Sequence, residues 1–305
     1  MPDVDAAHHD PALPGRPSAD DVVALLRGVI DPELGSDVVD LGMIRHAGID
    51  DDGVVTVTVA LTTAGCPLRA QLQRDIRTRV GSAPGVTEVR ITWSEMTADE
   101  RAATMATARR NAQERAPQTA IPATTRVIGV ASGKGGVGKS SVTVNLAVAL
   151  ARRGLRIGVL DADIWGFSVP RMLGVEGRLA AVPGEKKMVP NERTVPGRDG
   201  GPDGTLEVVS MGLLTDDETD ALMWRGLMLN RAVQHFLEDV RWGRLDYLVI
   251  DMPPGTGDVQ MGLARMLPRT DLLVVTTPAL AAQKVAARAA TMARKSHLRV
   301  AGVIE

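Results

Sequence analysis

Apolar positions along this chain follow two regimes. Up to about residue 95 they fall in short, separately patterned segments. Val22, Val23, Leu25, Leu26, Val29 and Ile30 recur at helical spacing behind Ser18-Ala19-Asp20-Asp21. Ser18 can cap that helix and Asp21 suits its first turn, while Asp31-Pro32 closes it. Val38 to Ile49 is strand-like, Asp50-Asp51-Asp52-Gly53 is a turn, and the β-branched run Val54 to Leu61 reads as the returning arm of a hairpin. A helix from about Pro67 to Val80, a turn over Gly81 to Gly85 and a strand over Val86 to Trp93 complete an αββαβ order, that of a small α+β domain.

From Arg126 onward, apolar runs of strand length alternate with helical segments. Strands are expected at Arg126–Ala131, Leu155–Leu160, Leu206–Met211, Leu245–Ile250, Asp271–Thr276 and Leu298–Ile304. Helices are expected at Ser140–Arg153, Leu229–Val240, Val259–Leu267 and Ala281–Lys295. Strands that are apolar throughout and separated by helices predict an α/β fold with a mostly parallel sheet flanked by helices. Gly177 to Gly204, rich in Gly, Pro and charge, reads as a surface excursion of the kind that carries partner contacts. Thr97 to Arg115 is helical without a strong apolar stripe, and Ala116 to Thr125 holds two prolines. The expected organisation is therefore a disordered tail over 1–17, a small α+β domain over 18–95, a linker over 96–125 and an α/β domain over 126–305.

Composition narrows the function. Aromatics make up 2% of the 305 residues, so the cores rest on Val, Leu, Ile, Ala and Met, and stacking platforms for single-stranded nucleic acid are lacking. A formal net charge of −2 without a long Lys/Arg run speaks against a nucleic-acid partner. Arg109-Arg110 and Arg152-Arg153 read as solvated helix surface. No apolar stretch reaches the ~18 residues of a membrane span, and Met1 to Pro17 is unlike a signal peptide. The one cysteine, Cys66, fits a reducing, cytoplasmic location. The histidines, His8, His9, His46, His235 and His297, show no zinc-site spacing.

The chemistry concentrates in three segments. Gly133-Lys134-Gly135-Gly136-Val137-Gly138-Lys139-Ser140 stands between a strand and a helix, the context a phosphate-binding P-loop requires. Its glycines let backbone N–H groups curl around phosphate, and the helix N-terminus adds positive potential. Lys139 is placed to neutralise the β- and γ-phosphates of ATP and Ser140 to ligate Mg²⁺; with Ser141 the loop makes up the expected nucleotide-binding set. Asp161-Ala162-Asp163 follows the next strand, at the end where such sheets bind ligands. Asp251, after Tyr247-Leu248-Val249-Ile250, is the expected Walker B carboxylate holding a Mg²⁺-bound water. The loop behind it, Met252-Pro253-Pro254-Gly255-Thr256-Gly257-Asp258, suits a γ-phosphate sensor.

With Lys134 inside it, the loop resembles the deviant P-loop of the MinD and ParA class. That resemblance implies a lysine reaching the phosphates of the partner subunit in a nucleotide-sandwiched homodimer. It also implies that Asp163 orients the attacking water and Asp161 supports the Mg²⁺ shell, so that Lys139, Asp163 and Lys134 form the catalytic set. Residues 126–305 resemble the Mrp/ApbC family of iron–sulfur cluster carrier ATPases through Asp161–Ser168, Trp224-Arg225-Gly226, Phe236–Gly243 and Asp251–Asp258. Residues 18–95 resemble the small SufT-like iron–sulfur assembly domain through Asp31-Pro32-Glu33-Leu34, Val39–Ile44 and Thr62–Leu68.

The family implies a slow, Mg²⁺-dependent ATP hydrolase that carries a [4Fe–4S] cluster to client apoproteins or works with assembly factors, while charge and hydropathy argue against nucleic-acid and membrane partners. Leu227 and Asn230 stand where relatives usually have Pro and His. The family's Cys-x-x-Cys motif lies beyond the strand that closes here as Val300–Glu305, so the resemblance implies that the C-terminal part of the domain is missing. Cys66, before Pro67 at a predicted helix start, reads equally as an iron–sulfur ligand and as a small buried hydrophobe. A ParA/MinD-type positioning ATPase and a nucleotide-regulated scaffold without cluster chemistry are the alternatives. The balanced charge counts against the first, and the lack of a cysteine pair leaves the second open.

Overall fold

The computed structural model describes residues 15–63, 68–163, 166–213, 226–255, 257–296 and 298–305, with the backbone alone at 226–229 and 258. Cys66, His8, His9, Ile164, Trp165, Trp224, Arg225, Thr256 and His297 lie outside the described residues, as does the side chain of Leu227. The chain divides into two compact units, Met1–Asn111 and Ala112–Glu305.

In the first unit, α1 (Ala19–Leu26) opens on a reciprocal cap. Ser18 Oγ accepts the Asp21 N–H at 3.2 Å, and Asp21 Oδ2 accepts the Ser18 N–H at 2.8 Å. The helix ends four residues before the apolar spacing does, because Gly28 follows and the Arg79 guanidinium lies across its backbone where a Cβ would stand. Val29 still reaches the core, while Ile30 is 46% exposed. The strand-like run from Val38 becomes a turn first. Asp37 Oδ1 accepts the N–H groups of Val39 and Asp40, and Gly42 sits at φ +68°.

Only then does β1 (Ile44–Ile49) begin, pairing antiparallel with β2 (Val54–Leu61). After α2 (Arg69–Gly81), β3 (Glu88–Glu95) joins β2 in parallel. Val55, Val57 and Val59 point to one face and bury against Val22 and Leu26 of α1 and Leu72, Ile76 and Val80 of α2. The helix expected within the linker, α3 (Ala98–Glu114), packs on this unit. Thr104 Oγ1 donates to Leu41 O at 2.8 Å, Ala108 is fully buried, and Asn111 Nδ2 donates to Ser36 Oγ at 3.1 Å. Small residues and side-chain hydrogen bonds do here what an apolar stripe does elsewhere.

The second unit is built on β4 (Arg126–Ser132), α4 (Lys139–Ala151), β5 (Arg156–Asp161) and the short α5 (Val169–Leu173). The hairpin β6 (Ala180–Ala181) and β7 (Met188–Val189), then β8 (Asn191–Val195) and β9 (Gly204–Ser210), follow. The remainder is α6 (Gly226–Glu238), β10 (Tyr247–Asp251), α7 (Asp258–Met266), β11 (Asp271–Val275), α8 (Leu280–Lys295) and β12 (Arg299–Ile304). Seven strands lie in the order β12-β11-β4-β10-β5-β9-β8, all parallel except β8 against β9. Alternate residues of one strand feed opposite cores: Leu248 and Ile250 meet Phe236 and Leu263, while Val249 meets Val144 and Ala147.

The Gly/Pro-rich excursion thus supplies the antiparallel edge strand β8, and its hairpin is tied to the end of α6 by Lys187 Nζ on Glu238 O (2.6 Å). The extended half of the expected linker is also fixed to this unit: Ala120 N–H donates to Leu237 O at 2.7 Å, and Arg269 Nη2 to Pro122 O at 2.8 Å. Among the described residues no helix is long and apolar enough to cross a membrane.

Candidate functional site

The parallel register sets Asp251 beside Asp161 at the carboxyl ends of β10 and β5, with β4 on the other side of β10 running into the glycine loop. The loop's glycines answer to three different demands. Gly136 (φ +78°) and Gly138 (φ +91°) hold left-handed backbone. Gly133 is a close-packing position, since a Cβ there would stand 2.3 Å from the Val285 carbonyl carbon in α8. Gly135 has neither constraint, and no atom lies within 4 Å of where its Cβ would be.

Behind the loop, α4 presents Lys139, Ser140 and Thr143 to Asp251. Lys139 Nζ stands 2.8 Å from Asp251 Oδ2 and 3.4 Å from Asp163 Oδ2, and the lysine side chain is 7% exposed. Ser140 Oγ donates to Asp251 Oδ2 at 2.6 Å, and Thr143 Oγ1 to Asp251 Oδ1 at 2.8 Å. Residues expected from three separate segments (Lys139 with Ser140, Asp163, and Asp251) therefore meet. Thr143 was not foreseen. It lies four residues after Lys139, on the same helix face, and that spacing was the available signal.

Asp161 pairs in register with Asp251 at the adjacent strand end. It is fully buried, and both of its oxygens are engaged by the chain. Oδ1 accepts the Asp163 N–H, while Oδ2 accepts the N–H groups of Ser168 and Val169 and the Ser210 hydroxyl. These contacts make it an anchor for the loop that carries Asp163 and for the start of α5. Burial, and then the neighbouring Asp251 charge, push its pKa up to about 7. Burial also raises Asp163, against the pull of Lys139 and with a further push from Asp251.

Lys134 is exposed and makes no ion pair or hydrogen bond among the described residues. Ser141 is exposed on the first turn of α4, its carbonyl accepting Asn145 Nδ2. Val137 is half-buried. Cys66, the one thiol of the chain, lies outside the described residues, among which no group of three or more His, Cys, Asp or Glu side chains could hold a metal ion.

The glycines predict their own test. Gly133→Ala drives a methyl into the α8 backbone, which cannot move as a flexible side chain would. We expect a loss of about 3 kcal/mol, read as a fall in Tm of roughly 6–12 °C. Gly135→Ala, in open space at an ordinary φ, should leave Tm unchanged.

A glycine loop between strand and helix, closing on a buried lysine, a hydroxyl and a strand-end carboxylate, defines a P-loop NTPase. The sequence model of the NUBPL iron-transfer P-loop NTPase family matches residues 123–305, and that of an iron–sulfur cluster assembly protein family matches residues 19–92. The chain belongs to this family of iron-transfer P-loop NTPases. Curated relatives bear the name iron–sulfur cluster carrier protein. The one from Mycobacterium tuberculosis is 44% identical over 278 residues, covering 91% of this chain and 70% of the relative. That from Deinococcus radiodurans is 45% identical, covering 92% and 73%, and that from Bacillus subtilis 37% identical, covering 94% and 76%. Among solved structures, a nucleotide-binding protein from Archaeoglobus fulgidus in complex with ADP is 34% identical, covering 65% of this chain and 70% of that one, with a TM-score of 0.47.

Proposed function

We propose that the chain is an ATP-binding and ATP-hydrolysing iron–sulfur cluster carrier or assembly factor, delivering clusters to client apoproteins. The observation that carries the nucleotide half is the convergence of Lys139, Ser140, Asp163 and Asp251 within hydrogen-bond and ion-pair distance beneath an open glycine loop. The cluster half rests on the family. The donor set, one hydroxyl and one carboxylate oxygen, is hard and suits Mg²⁺. Ser140 and Asp251 would hold that ion, which neutralises charge on the phosphate oxygens when bound.

In the proposed hydrolysis, water attacks the terminal phosphorus and its proton passes to the Asp163 carboxylate. The new O–P bond forms as the bond to the ADP oxygen breaks. Asp161 fixes the loop on which Asp163 rides. Backbone N–H groups of Gly133 to Ser140, continuing to Ser141, cradle the phosphates, and Lys139 leaves its carboxylate partners to meet them. The exposed Lys134 is free to serve a second subunit, so we read the active form as an ATP-dependent cytoplasmic homodimer, which light scattering with and without ATP would detect. We also read 18–95 and 126–305 as the two functional domains.

The cluster is cargo in this reading. A [4Fe–4S] cluster usually takes four thiolates, and each chain has one, Cys66. Two chains would leave two positions to a client or to other ligands. After anaerobic reconstitution with iron and sulfide, the 305-residue protein should therefore release phosphate from ATP but keep well under one cluster per dimer on desalting. Iron analysis and visible absorbance check this. A stable stoichiometric cluster would refute the ligand count, and absent ATP turnover would refute the enzyme. If iron is retained, Cys66→Ala shows whether the small domain holds it.

A further inference from the structure

The segment behind Asp251 joins the end of β10 to the start of α7. Its backbone is tied to the end of β4 at two points, Met252 N–H to Val130 O (3.0 Å) and Gly255 N–H to Ser132 O (2.9 Å). Between them lies Pro253, which has no N–H to donate. Its carbonyl is held from the other side: Gln260, in the first turn of α7, donates to it through Nε2 at 2.8 Å. Among the described residues no other side chain donates a hydrogen bond to this loop's backbone.

Gln260 is 1% exposed, although its helix neighbours on the core side are Val259, Leu263 and Ala264. A buried primary amide costs stability unless it is bonded, and an apolar side chain would fill the same space without that cost. Gly255 holds left-handed backbone at φ +93°. The helix bearing Gln260 in turn lies close against α6. The Asn230 side chain reaches over Gly262, with its Oδ1 2.9 Å from where a Cβ would stand.

We propose that Gln260 is a positioning residue of the hydrolytic site: its amide sets the path of Pro253-Pro254-Gly255 and couples that path to α7, so that the loop distinguishes a terminal phosphate from none. This rests on the nucleotide reading above and extends it to a residue that touches neither phosphate nor metal.

The test uses the full chain with Gln260→Met, which keeps the length without a donor, and Gln260→Leu, which keeps an apolar side chain there without one. Either variant alone suffices. The measurements are Kd for ADP and for a non-hydrolysable ATP analogue by calorimetry, kcat and KM for Mg-ATP, and Tm. We expect ADP affinity within about threefold of the parent, kcat lower by roughly tenfold or more, and the ratio of analogue to ADP affinity drawn toward one. A residue that merely packs would lower Tm and leave that ratio and the kcat of the folded protein unchanged, which would overturn the proposal. Parent protein that binds neither nucleotide would overturn the nucleotide reading itself, and this inference with it. Parent protein that binds and turns over normally, with variants that match it, would remove the inference alone.

Discussion

Lys139→Ala should weaken ATP binding by ~30- to 1,000-fold, the loss of a buried charge-assisted contact worth ~2–4 kcal/mol. The same substitution carries a second effect that the sequence motif does not announce. Lys139 is the cation between Asp251 and Asp163, and next to it Asp161 is buried at the adjacent strand end. Without the lysine, the carboxylates at the ends of β5 and β10 face one another without a compensating charge. The pH dependence follows from Asp161, whose pKa is raised from 3.8 to about 7 by burial and by Asp251, with Lys139 among the groups that restrain it. A carboxyl with a raised folded pKa favours the folded state below its unfolded value and loses that contribution as pH rises through the folded value. In Lys139→Ala the folded value climbs further, so the loss extends to higher pH than in the parent. The Tm deficit of the variant should therefore widen as pH rises above about 7, and Mg²⁺ should narrow it. Calorimetry gives the affinity and thermal melts at several pH values give the deficit. Unchanged ATP affinity would sink the P-loop assignment of Lys139. Lys134→Ala, at an exposed position without a partner among the described residues, should leave Tm unaltered and serves as the control.

The elements of the second unit were legible because long apolar runs flanked by turn residues have one reading, and β4, β5, β10 and β11 fall within a residue or two of expectation. What escaped has identifiable causes. Val29 and Ile30 keep the helical spacing past Gly28, yet the chain has already turned under Arg79, a contact across 51 positions of sequence that no window of residues reveals. Five residues are too few for α5 to show a period, and β8 looks like loop because an edge strand buries little: Val195 alone of its residues is buried. The site divides in the same way. Lys139, Ser140, Asp163 and Asp251 could be named because each sits in a motif whose chemistry demands it. Thr143 offered only its spacing from Lys139, and Gln260 offered nothing, because its part depends on which carbonyl the fold sets before it. Asp161 was named from its motif, but the hydrogen bonds it accepts could not be read there. They depend on how the chain turns after β5, which no spacing reveals.

Asp163→Ala should lower kcat by ~10²- to 10⁴-fold, the usual contribution of a general base, while ATP binds within a few-fold of the parent. The side chain is 15% exposed, open enough to meet a water yet buried enough for its pKa to rise, the direction a base near neutrality needs. A competing role is visible in the structure, since Asp163 Oδ2 is 3.4 Å from Lys139 Nζ and could serve only to hold the lysine. The two roles separate in Asp163→Asn. The amide keeps the size and one oxygen but cannot take a proton. If Asp163 is the base, Asn is nearly as slow as Ala, and in the parent kcat rises with pH through the carboxyl's raised pKa. If Asp163 is only the lysine's partner, removing its charge frees Lys139 for phosphate. Both variants would then bind ATP at least as tightly as the parent and hydrolyse it at comparable rates, with no acid limb traceable to position 163. Single-turnover phosphate release across pH, run on parent, Asn and Ala side by side, decides between them, because a lysine clamp predicts a change in binding and a base predicts a change in chemistry.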